Sequence, residues 1–141
     1  MNLATSRALL IAHPRNASRS ARLARRIEPL FAELEAVVPD NLEHLAEIVG
    51  EHHDYSDLVI VLGGDGTVHR VLAELDPKTQ YLCPLPGGTG NDLSHALGFR
   101  EFNYSNPEAW QRLEEERIDL PRVNGLRYHN SGGIGIDAET L

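Results

Sequence analysis

The feature that most constrains the fold is a run of apolar residues at 58–62 that passes directly into Gly-Gly-Asp-Gly-Thr at 63–67. The run is continuous and contains β-branched side chains, which is typical of a strand buried on both faces of a sheet. Buried strands of this kind occur in parallel sheets whose two faces are covered by helices. The run therefore predicts an interior strand of an α/β domain.

Strand-like and helix-like segments alternate along the rest of the chain. Further strands are predicted at 8–12, 36–38 and 81–85, and a hairpin with strands at 118–123 and 126–129 is predicted around Asn124-Gly125. Helices are predicted from Ser18 to Leu34 with a kink or break at Pro29, after Asp40 or Asn41, and at 67–75, 92–97 and 107–116. For a chain of 141 residues, this alternation predicts a single α/β domain with a largely parallel sheet and helices on both faces.

Charge and composition exclude several classes of function. The net charge of −8 argues against general nucleic-acid binding. The longest apolar run is far shorter than the roughly 20 residues that a membrane span needs. The N-terminal residues lack the pattern of a signal peptide, and the single cysteine, Cys83, fits a reducing compartment, so we expect a cytoplasmic protein. The histidines His44, His52, His53 and His95 lack the company of other metal ligands and are predicted at the surface.

The first glycine loop surrounds one carboxylate with glycines. At the end of a buried strand, Gly63 and Gly64 allow a sharp turn and expose backbone N–H groups, and Gly66 leaves Asp65 unobstructed. Thr67 begins a predicted helix, and N–H groups at a helix N-terminus form an anion site. A carboxylate beside a phosphate makes sense if Mg²⁺ lies between them or if it takes a proton from an attacking hydroxyl. The loop therefore predicts phosphoryl transfer, with an ordinary Asp-Gly turn as the alternative.

The second glycine loop follows the strand at 81–85 and reads Pro-Gly-Gly-Thr-Gly-Asn-Asp at 86–92. Its Asp92 has a simpler interpretation as a helix cap. Both loops come directly after strands, and parallel sheets bind ligands at the carboxyl ends of their strands, so we expect the chemistry there. Neither loop has the pattern of a P-loop or of a dinucleotide-binding fingerprint.

Taken together, the GGDGT sequence at 63–67 and the GTGND sequence at 88–92 resemble the nucleotide-binding domain of diacylglycerol kinases. That family includes sphingosine, ceramide and bacterial lipid kinases. The resemblance extends over most of the chain and implies a phosphofructokinase-like or NAD-kinase-like α/β domain, with ATP and Mg²⁺, that transfers the γ-phosphoryl group to a lipid hydroxyl. It also implies that residues 1–125 form the ATP-binding domain and that residues 126–141 begin a second, β-rich domain that is otherwise absent.

The resemblance gives particular residues a role. It implies Asp65 and Asp92 as catalytic residues, with Asp65 also a candidate Mg²⁺ ligand. His13 stands where the family has asparagine, and His69 and Arg70 stand where many members have Asn-Glu. The nucleotide-binding residues predicted in this way are His13, Arg15, Arg19, Gly63, Gly64, Gly66, Thr67, Gly88, Thr89 and Asn91.

Two other functions stay open at this point. An NAD-kinase-like enzyme that phosphorylates a soluble nucleotide would share the first loop, whereas the second loop favours a lipid kinase. A nucleotide-binding or regulatory module without catalysis is the third interpretation, because the second domain is missing. For a lipid kinase, the implied partners are ATP and a lipid at the inner face of the membrane. A strand from Leu126 onward would have an exposed edge, so we expect it to pair with its own domain or with another copy of the chain.

Overall fold

The computed structural model describes residues 1–129, without the side chain of Leu42. At its centre is a parallel sheet in the order β2-β1-β3-β4. The strands are β1 (Arg7–Ala12), β2 (Glu33–Val37), β3 (Leu58–Gly63) and β4 (Tyr81–Pro86). The helices are α1 (Ala17–Ile27), α2 (Leu42–Glu51), α3 (Asp65–Glu74), α4 (Asp92–Ala96) and α5 (Pro107–Trp110). The predicted α/β class with a parallel sheet is confirmed.

Strand β3 is the interior strand that its apolar run predicts. It lies between β1 and β4, and all of its residues are buried. Alternate side chains face opposite sides of the sheet: Ile60 packs in a core with α1 and Trp110, and Val59 packs in a second core with α2 and α3. Because both faces are covered by helical segments, neither side of β3 needs polar residues. The prediction of helices on both faces is confirmed.

The first helix ends earlier than its apolar spacing predicts. Helix α1 ends at Ile27, and Pro29 lies in the short 3₁₀ turn Glu28–Leu30 that follows. Leu34 is not helical but lies in β2, where it pairs with Ala8 of β1. The break at Pro29 is confirmed, and the extension of the helix to Leu34 is wrong because proline cannot supply the N–H that a continuing helix needs.

Regular structure becomes sparse after α4. Helix α5 covers only Pro107–Trp110, so the prediction of a helix over 107–116 is wrong. Glutamates at 114–116 would lie at the C-terminal end of such a helix, where the helix dipole disfavours negative charge. Trp110 is fully buried and its Nε1 donates a hydrogen bond to the Tyr104 carbonyl at 2.9 Å, so it fixes this segment without a longer helix. Within residues 1–129 no helix is long and apolar enough to cross a bilayer.

A small hairpin follows, with β5 (Arg122–Val123) paired antiparallel to β6 (Leu126–Arg127). Asn124 and Gly125 have φ values of 50° and 83°, as a two-residue hairpin turn requires. The strands are shorter than predicted. The guanidinium of Arg127 donates to the carbonyls of Leu72 and Leu75, so the hairpin packs on its own domain.

The predicted domain boundary falls at this turn, and residues 130–141 lie outside the described part of the chain. A division into two domains and pairing with another copy stay predictions.

The outer edge of β4 is poorly suited to strand addition. The Tyr81 N–H donates to the carbonyl of Asp57, just before β3, at 2.8 Å, and the N–H of Gly87, just after β4, donates to the Gly63 carbonyl at 2.9 Å. The backbone N–H groups of the odd-numbered residues of β4 therefore face β3. The even-numbered residues therefore face the free edge, and two of them, Pro84 and Pro86, have no N–H to offer. Prolines at such positions are a known means of keeping an edge strand unpaired.

Candidate functional site

The two glycine loops lie side by side at the carboxyl ends of β3 and β4. The Gly87 N–H donates to the Gly63 carbonyl at 2.9 Å, which extends the ladder of the two strands by one hydrogen bond. A Cβ atom added to Gly88 would lie 2.4 Å from the Cα of Gly64, and one added to Gly64 would lie 3.1 Å from the Cα of Gly88. Glycine at these positions therefore allows a direct contact between the two backbones.

Gly66 differs from the glycines at this contact. It is the second residue of α3, and a Cβ atom added to it would meet nothing within 4 Å. Glycine within a helix costs about 1 kcal/mol relative to alanine. No neighbour among the described residues requires the absence of a side chain here. The open space in front of Gly66 is where a bound group could approach the backbone closely.

The carboxylate of Asp65 joins the first loop to the second. Its Oδ2 accepts a hydrogen bond from the Asn91 N–H at 2.8 Å, and its Oδ1 accepts one from the Asp92 N–H at 2.7 Å. A Cβ atom added to Gly90 would lie 2.6 Å from the same Oδ2. Each carboxylate oxygen can accept a second hydrogen bond or a metal ion. Asp65 can therefore hold the second loop in place and still contact a ligand.

Asn91 stabilises the second loop from within. Its backbone is in the left-handed region, with φ 62° and ψ 40°, a conformation that asparagine tolerates better than most residues. Its Oδ1 accepts from the N–H groups of Gly87 at 3.1 Å and Gly88 at 2.8 Å, and its Nδ2 donates to the Gly88 carbonyl at 2.9 Å. The side chain is buried and used by the loop itself. A contact of Asn91 with nucleotide stays a prediction.

Residues after β1 approach the same edge of the sheet. His13 is half-buried, and its Nδ1 accepts a hydrogen bond from the Arg15 N–H at 3.2 Å, while the side chain of Arg15 is exposed. The guanidinium of Arg19, on α1, donates to the Pro86 carbonyl at 3.4 Å and to the hydroxyl of Tyr104. The structure therefore brings Arg19 to the end of β4, beside the second loop. Phosphate contacts of these three residues stay predictions.

Asn16 is a residue of this site that the sequence did not reveal. It is only 5% exposed, and its Nδ2 donates to the Gly87 carbonyl at 2.9 Å and more weakly to the Leu62 carbonyl at 3.4 Å. Its Oδ1 accepts from Arg19 Nη1 at 3.1 Å. The two carbonyl partners are 71 and 46 residues away along the chain. No local pattern could have pointed to Asn16.

His129 is a second such residue. It follows β6, and its Nε2 lies 3.4 Å from the Asp65 carbonyl. Its ring centroid is 6.1 Å from that of His69 on α3. The chain after the hairpin thus returns to the start of α3, where the two histidines border one side of the site.

The donor set around Gly90 is suitable for a magnesium ion bound together with phosphate. A Cβ atom added to Gly90 would lie 2.6 Å from Asp65 Oδ2 and 3.6 Å from Asp92 Oδ1, so both carboxylates border the same glycine. Within residues 1–129, no group of three or more His, Cys, Asp or Glu side chains could hold a metal by itself. Protein-bound Mg²⁺ commonly uses one or two carboxylates together with substrate phosphates and water. Asp65 and Asp92 fit that mode of binding.

Comparisons with known proteins show the family to which the chain belongs. The family model described as "Diacylglycerol kinase catalytic domain" matches residues 7–123. A diacylglycerol kinase of Bacillus subtilis is 37% identical over 82 residues, which are 56% of this chain and 27% of that protein. Sphingosine kinase 1 of Rattus norvegicus is 30% identical over 107 residues, covering 66% of this chain and 28% of that protein. This chain thus spans little more than a quarter of either relative.

The fold also matches a solved structure. The crystal structure of a diacylglycerol kinase from Bacillus anthracis superposes with a TM-score of 0.77 at 22% identity. The superposition covers 99% of this chain and 53% of that one. At this level of identity the likeness shows a shared fold.

Proposed function

Because this chain belongs to the diacylglycerol kinase catalytic domain family, we propose that it binds ATP at its two glycine loops and takes part in transferring the γ-phosphoryl group to a lipid hydroxyl. The observation that carries this proposal is the open approach to Gly66 beside the contact of Gly64 with Gly88. The start of α3, a helix of ten residues, directs N–H groups and the positive end of the helix dipole at that opening. Such a backbone surface suits a polyphosphate.

The residues around the opening divide into two groups in this proposal. The N–H group of Gly66, in the first turn of α3, binds phosphate from one side with Thr67 beside it, and Thr89 of the second loop binds it from the other side beside Gly88. The exposed side chain of Arg15 is free to reach a phosphate oxygen from the loop after β1. These contacts are expected from the position of each residue at the carboxyl edge of the sheet.

Asp65 and Asp92 are the residues that would hold Mg²⁺. The ion, when bound, neutralises part of the phosphate charge during transfer. Asp65 keeps the second loop in register through two backbone hydrogen bonds. Its remaining lone pairs also suit it to accept the proton of an attacking hydroxyl. The substrate class, a lipid alcohol, follows from the names of the relatives, diacylglycerol kinase and sphingosine kinase.

Two glycines provide a matched test of ATP binding. Gly66 and Gly50 both lie in helices, and a Cβ atom added to either meets nothing within 4 Å, but only Gly66 borders the proposed site. We expect Gly66→Ala to weaken Mg²⁺-dependent ATP binding by about tenfold or more, because the methyl group occupies the path of a phosphate. Gly50→Ala should bind ATP as the parent does. Calorimetric titration of all three proteins, with and without Mg²⁺, measures this difference.

The outcomes separate the three candidate functions. Equal ATP affinity in the Gly66→Ala and Gly50→Ala proteins, or no binding to the parent at millimolar ATP, would overturn the proposed site. If the parent binds ATP, the second experiment supplies labelled ATP with diacylglycerol or sphingosine in detergent micelles, and separately with NAD. A labelled lipid supports the proposal, labelled NADP favours a NAD-kinase-like enzyme, and ATP binding without either product favours a nucleotide-binding module.

A further inference from the structure

The side-chain amide of Asn16 can be oriented in only one way. Its Nδ2 faces the carbonyls of Gly87 and Leu62, and its Oδ1 faces the guanidinium of Arg19. An amide NH₂ group only donates and a guanidinium has no acceptor, so exchanging the oxygen and nitrogen would leave every contact unsatisfied. The orientation is therefore set by the hydrogen bonds. A Cβ atom on Gly87 would lie 2.7 Å from this Nδ2 and 2.8 Å from the Gly63 nitrogen, so a side chain at Gly87 would collide with both.

Arg19 extends this contact to a distant segment. Its guanidinium donates to the Pro86 carbonyl and to the Tyr104 hydroxyl, and it lies 5.9 Å from the centroid of the Tyr104 ring. The Tyr104 carbonyl in turn accepts the Nε1–H of Trp110, which is buried in the core against Phe31. These contacts connect the carbonyl of Gly87, through Asn16 and Arg19, to the core on one face of the sheet.

We propose that Asn16 is a positioning residue for the second glycine loop, and that Arg19 supports Asn16 instead of binding phosphate. Asn16 fixes the beginning of the loop at Gly87, whereas Asp65 fixes its end at Asn91 and Asp92. The loop is thus held at both ends by side chains from other parts of the chain. Loss of Asn16 leaves the first end held only through the Gly87 N–H and so loosens the Gly88 backbone against Gly64.

The first test needs no nucleotide and does not depend on the proposed function. Asn16→Asp keeps the shape of the side chain but turns a carboxylate oxygen toward the Gly87 and Leu62 carbonyls. Amide hydrogen exchange, followed by NMR on the nucleotide-free protein, should accelerate about tenfold at Gly87 and Gly88. Exchange at Ile60, in the centre of β3, should accelerate by no more than the loss of global stability in urea accounts for. Arg25→Ala, which removes an exposed arginine of the same helix, is the control and should change neither.

A milder variant covers the case in which Asn16→Asp does not fold. Tyr104→Phe removes only the hydroxyl that Arg19 contacts and keeps the ring over which the guanidinium lies. It should accelerate exchange at Gly87 and Gly88 by a smaller factor, again beyond any change at Ile60. Unchanged loop exchange in a folded Asn16→Asp protein, or in Tyr104→Phe where only that variant folds, would overturn the proposal.

The second test connects the contacts of Asn16 to the proposed ATP site, and this part alone rests on the proposed function. If the second loop binds phosphate, the folded Asn16→Asp protein should bind Mg²⁺–ATP about tenfold more weakly than the parent. A merely structural asparagine would lower the urea midpoint of unfolding, accelerate exchange at the loop and at Ile60 equally, and leave the ATP affinity of the folded protein unchanged. Weaker ATP binding without faster loop exchange would mean that Asn16 contacts the nucleotide directly, which also overturns the positioning role. A parent protein that fails to bind ATP refutes the proposed function and leaves the exchange result standing.

Discussion

The two glycine loops look alike in sequence but are held in place by different means. The first loop is stabilised by its neighbours in sequence, since the N–H groups of Thr67 and Val68 both donate to the Gly64 carbonyl, at 3.0 and 3.1 Å. The second loop has internal hydrogen bonds through Asn91, but it also depends on residues outside it, Asn16 at its beginning and Asp65 at its end. The first loop can therefore form from its local sequence, whereas the second takes its position from tertiary contacts. Substitutions far from the second loop should disturb it before they disturb the first.

The largest effect is expected where the two loops touch. In Gly88→Ala the new methyl group would lie 2.4 Å from the Cα of Gly64, and neither backbone can rotate away as a side chain would. We expect a loss of about 3 kcal/mol in the free energy of unfolding, at the upper end of the usual cost of overpacking. Urea denaturation of the variant and the parent measures this value.

The control for this prediction is the same substitution at the open glycine of the first loop. Gly66→Ala adds a methyl group with no neighbour within 4 Å, so its free energy of unfolding should stay level or rise by up to about 1 kcal/mol. A similar loss of stability in both variants would contradict the close contact between the loops, since alanine alone would then be the cause.

Asp65→Asn should have the next largest effect. The carboxylate accepts two backbone hydrogen bonds, and in asparagine one of its oxygens is replaced by an NH₂ group that faces an N–H of Asn91 or Asp92. Loss of a charged acceptor that serves backbone N–H groups costs roughly 1.5–3 kcal/mol. We expect a loss in that range by urea denaturation, together with faster amide exchange at Asn91 and Asp92.

Neutralising another carboxylate separates this effect from that of charge alone. Glu47→Gln removes one negative charge from an exposed position of α2, outside the two loops. Its free energy of unfolding should stay within about 0.5 kcal/mol of the parent's. If Asp65→Asn is as stable as Glu47→Gln, the hydrogen bonds from Asp65 to the second loop contribute little.

Much of the fold was predictable because its signals are local. The apolar run of β3, the helical spacing of α2 and the Asn124-Gly125 turn each specify one element without help from the rest of the chain. The glycines and Asp65 of the first loop could be recognised for the same reason. By contrast, two predicted elements were wrong in length. The helix predicted at 107–116 ends at the buried Trp110. The strand predicted at 118–123 has only two paired residues, because its partner β6 is two residues long.

The supports of the second loop could not be predicted in this way. The role of Asn16 depends on carbonyl groups that only the folded sheet brings beside it. Asp65 was recognised as a carboxylate for catalysis or metal binding, but its hydrogen bonds to α4 exist only once β3 and β4 are adjacent. A sequence pattern can therefore indicate which residues carry the chemistry while giving little information on which residues hold them in place.

The smallest effect is expected at the opposite end of the strands from the loops, and it concerns pH. His52, which follows α2, has its Nδ1 2.7 Å from the Ile48 carbonyl and its Nε2 2.9 Å from Glu35 Oε2 on β2. Burial by itself would lower the pKa of His52, but the hydrogen bonds to Glu35 and Ile48 outweigh it, so the pKa is raised above its usual value of 6.5. The protonated form is therefore the one that the fold stabilises.

This stabilisation is fully present below the pKa of the unfolded chain, about 6.5, and is lost as pH rises through the higher pKa of the folded protein. Because Glu35 is largely exposed, we expect the free energy of unfolding of the parent to exceed that of His52→Gln by only about 0.5 kcal/mol at low pH. At high pH the two values should be equal. Urea denaturation of both proteins at about pH 5.5 and pH 8.5 measures the difference between them.

ATP affinity at a fixed pH should be the same in both, because His52 and the two loops lie at opposite ends of the sheet. A change in ATP affinity in His52→Gln would show that the two ends of the sheet are coupled, and the separation between local and tertiary support of the loops would then be too simple.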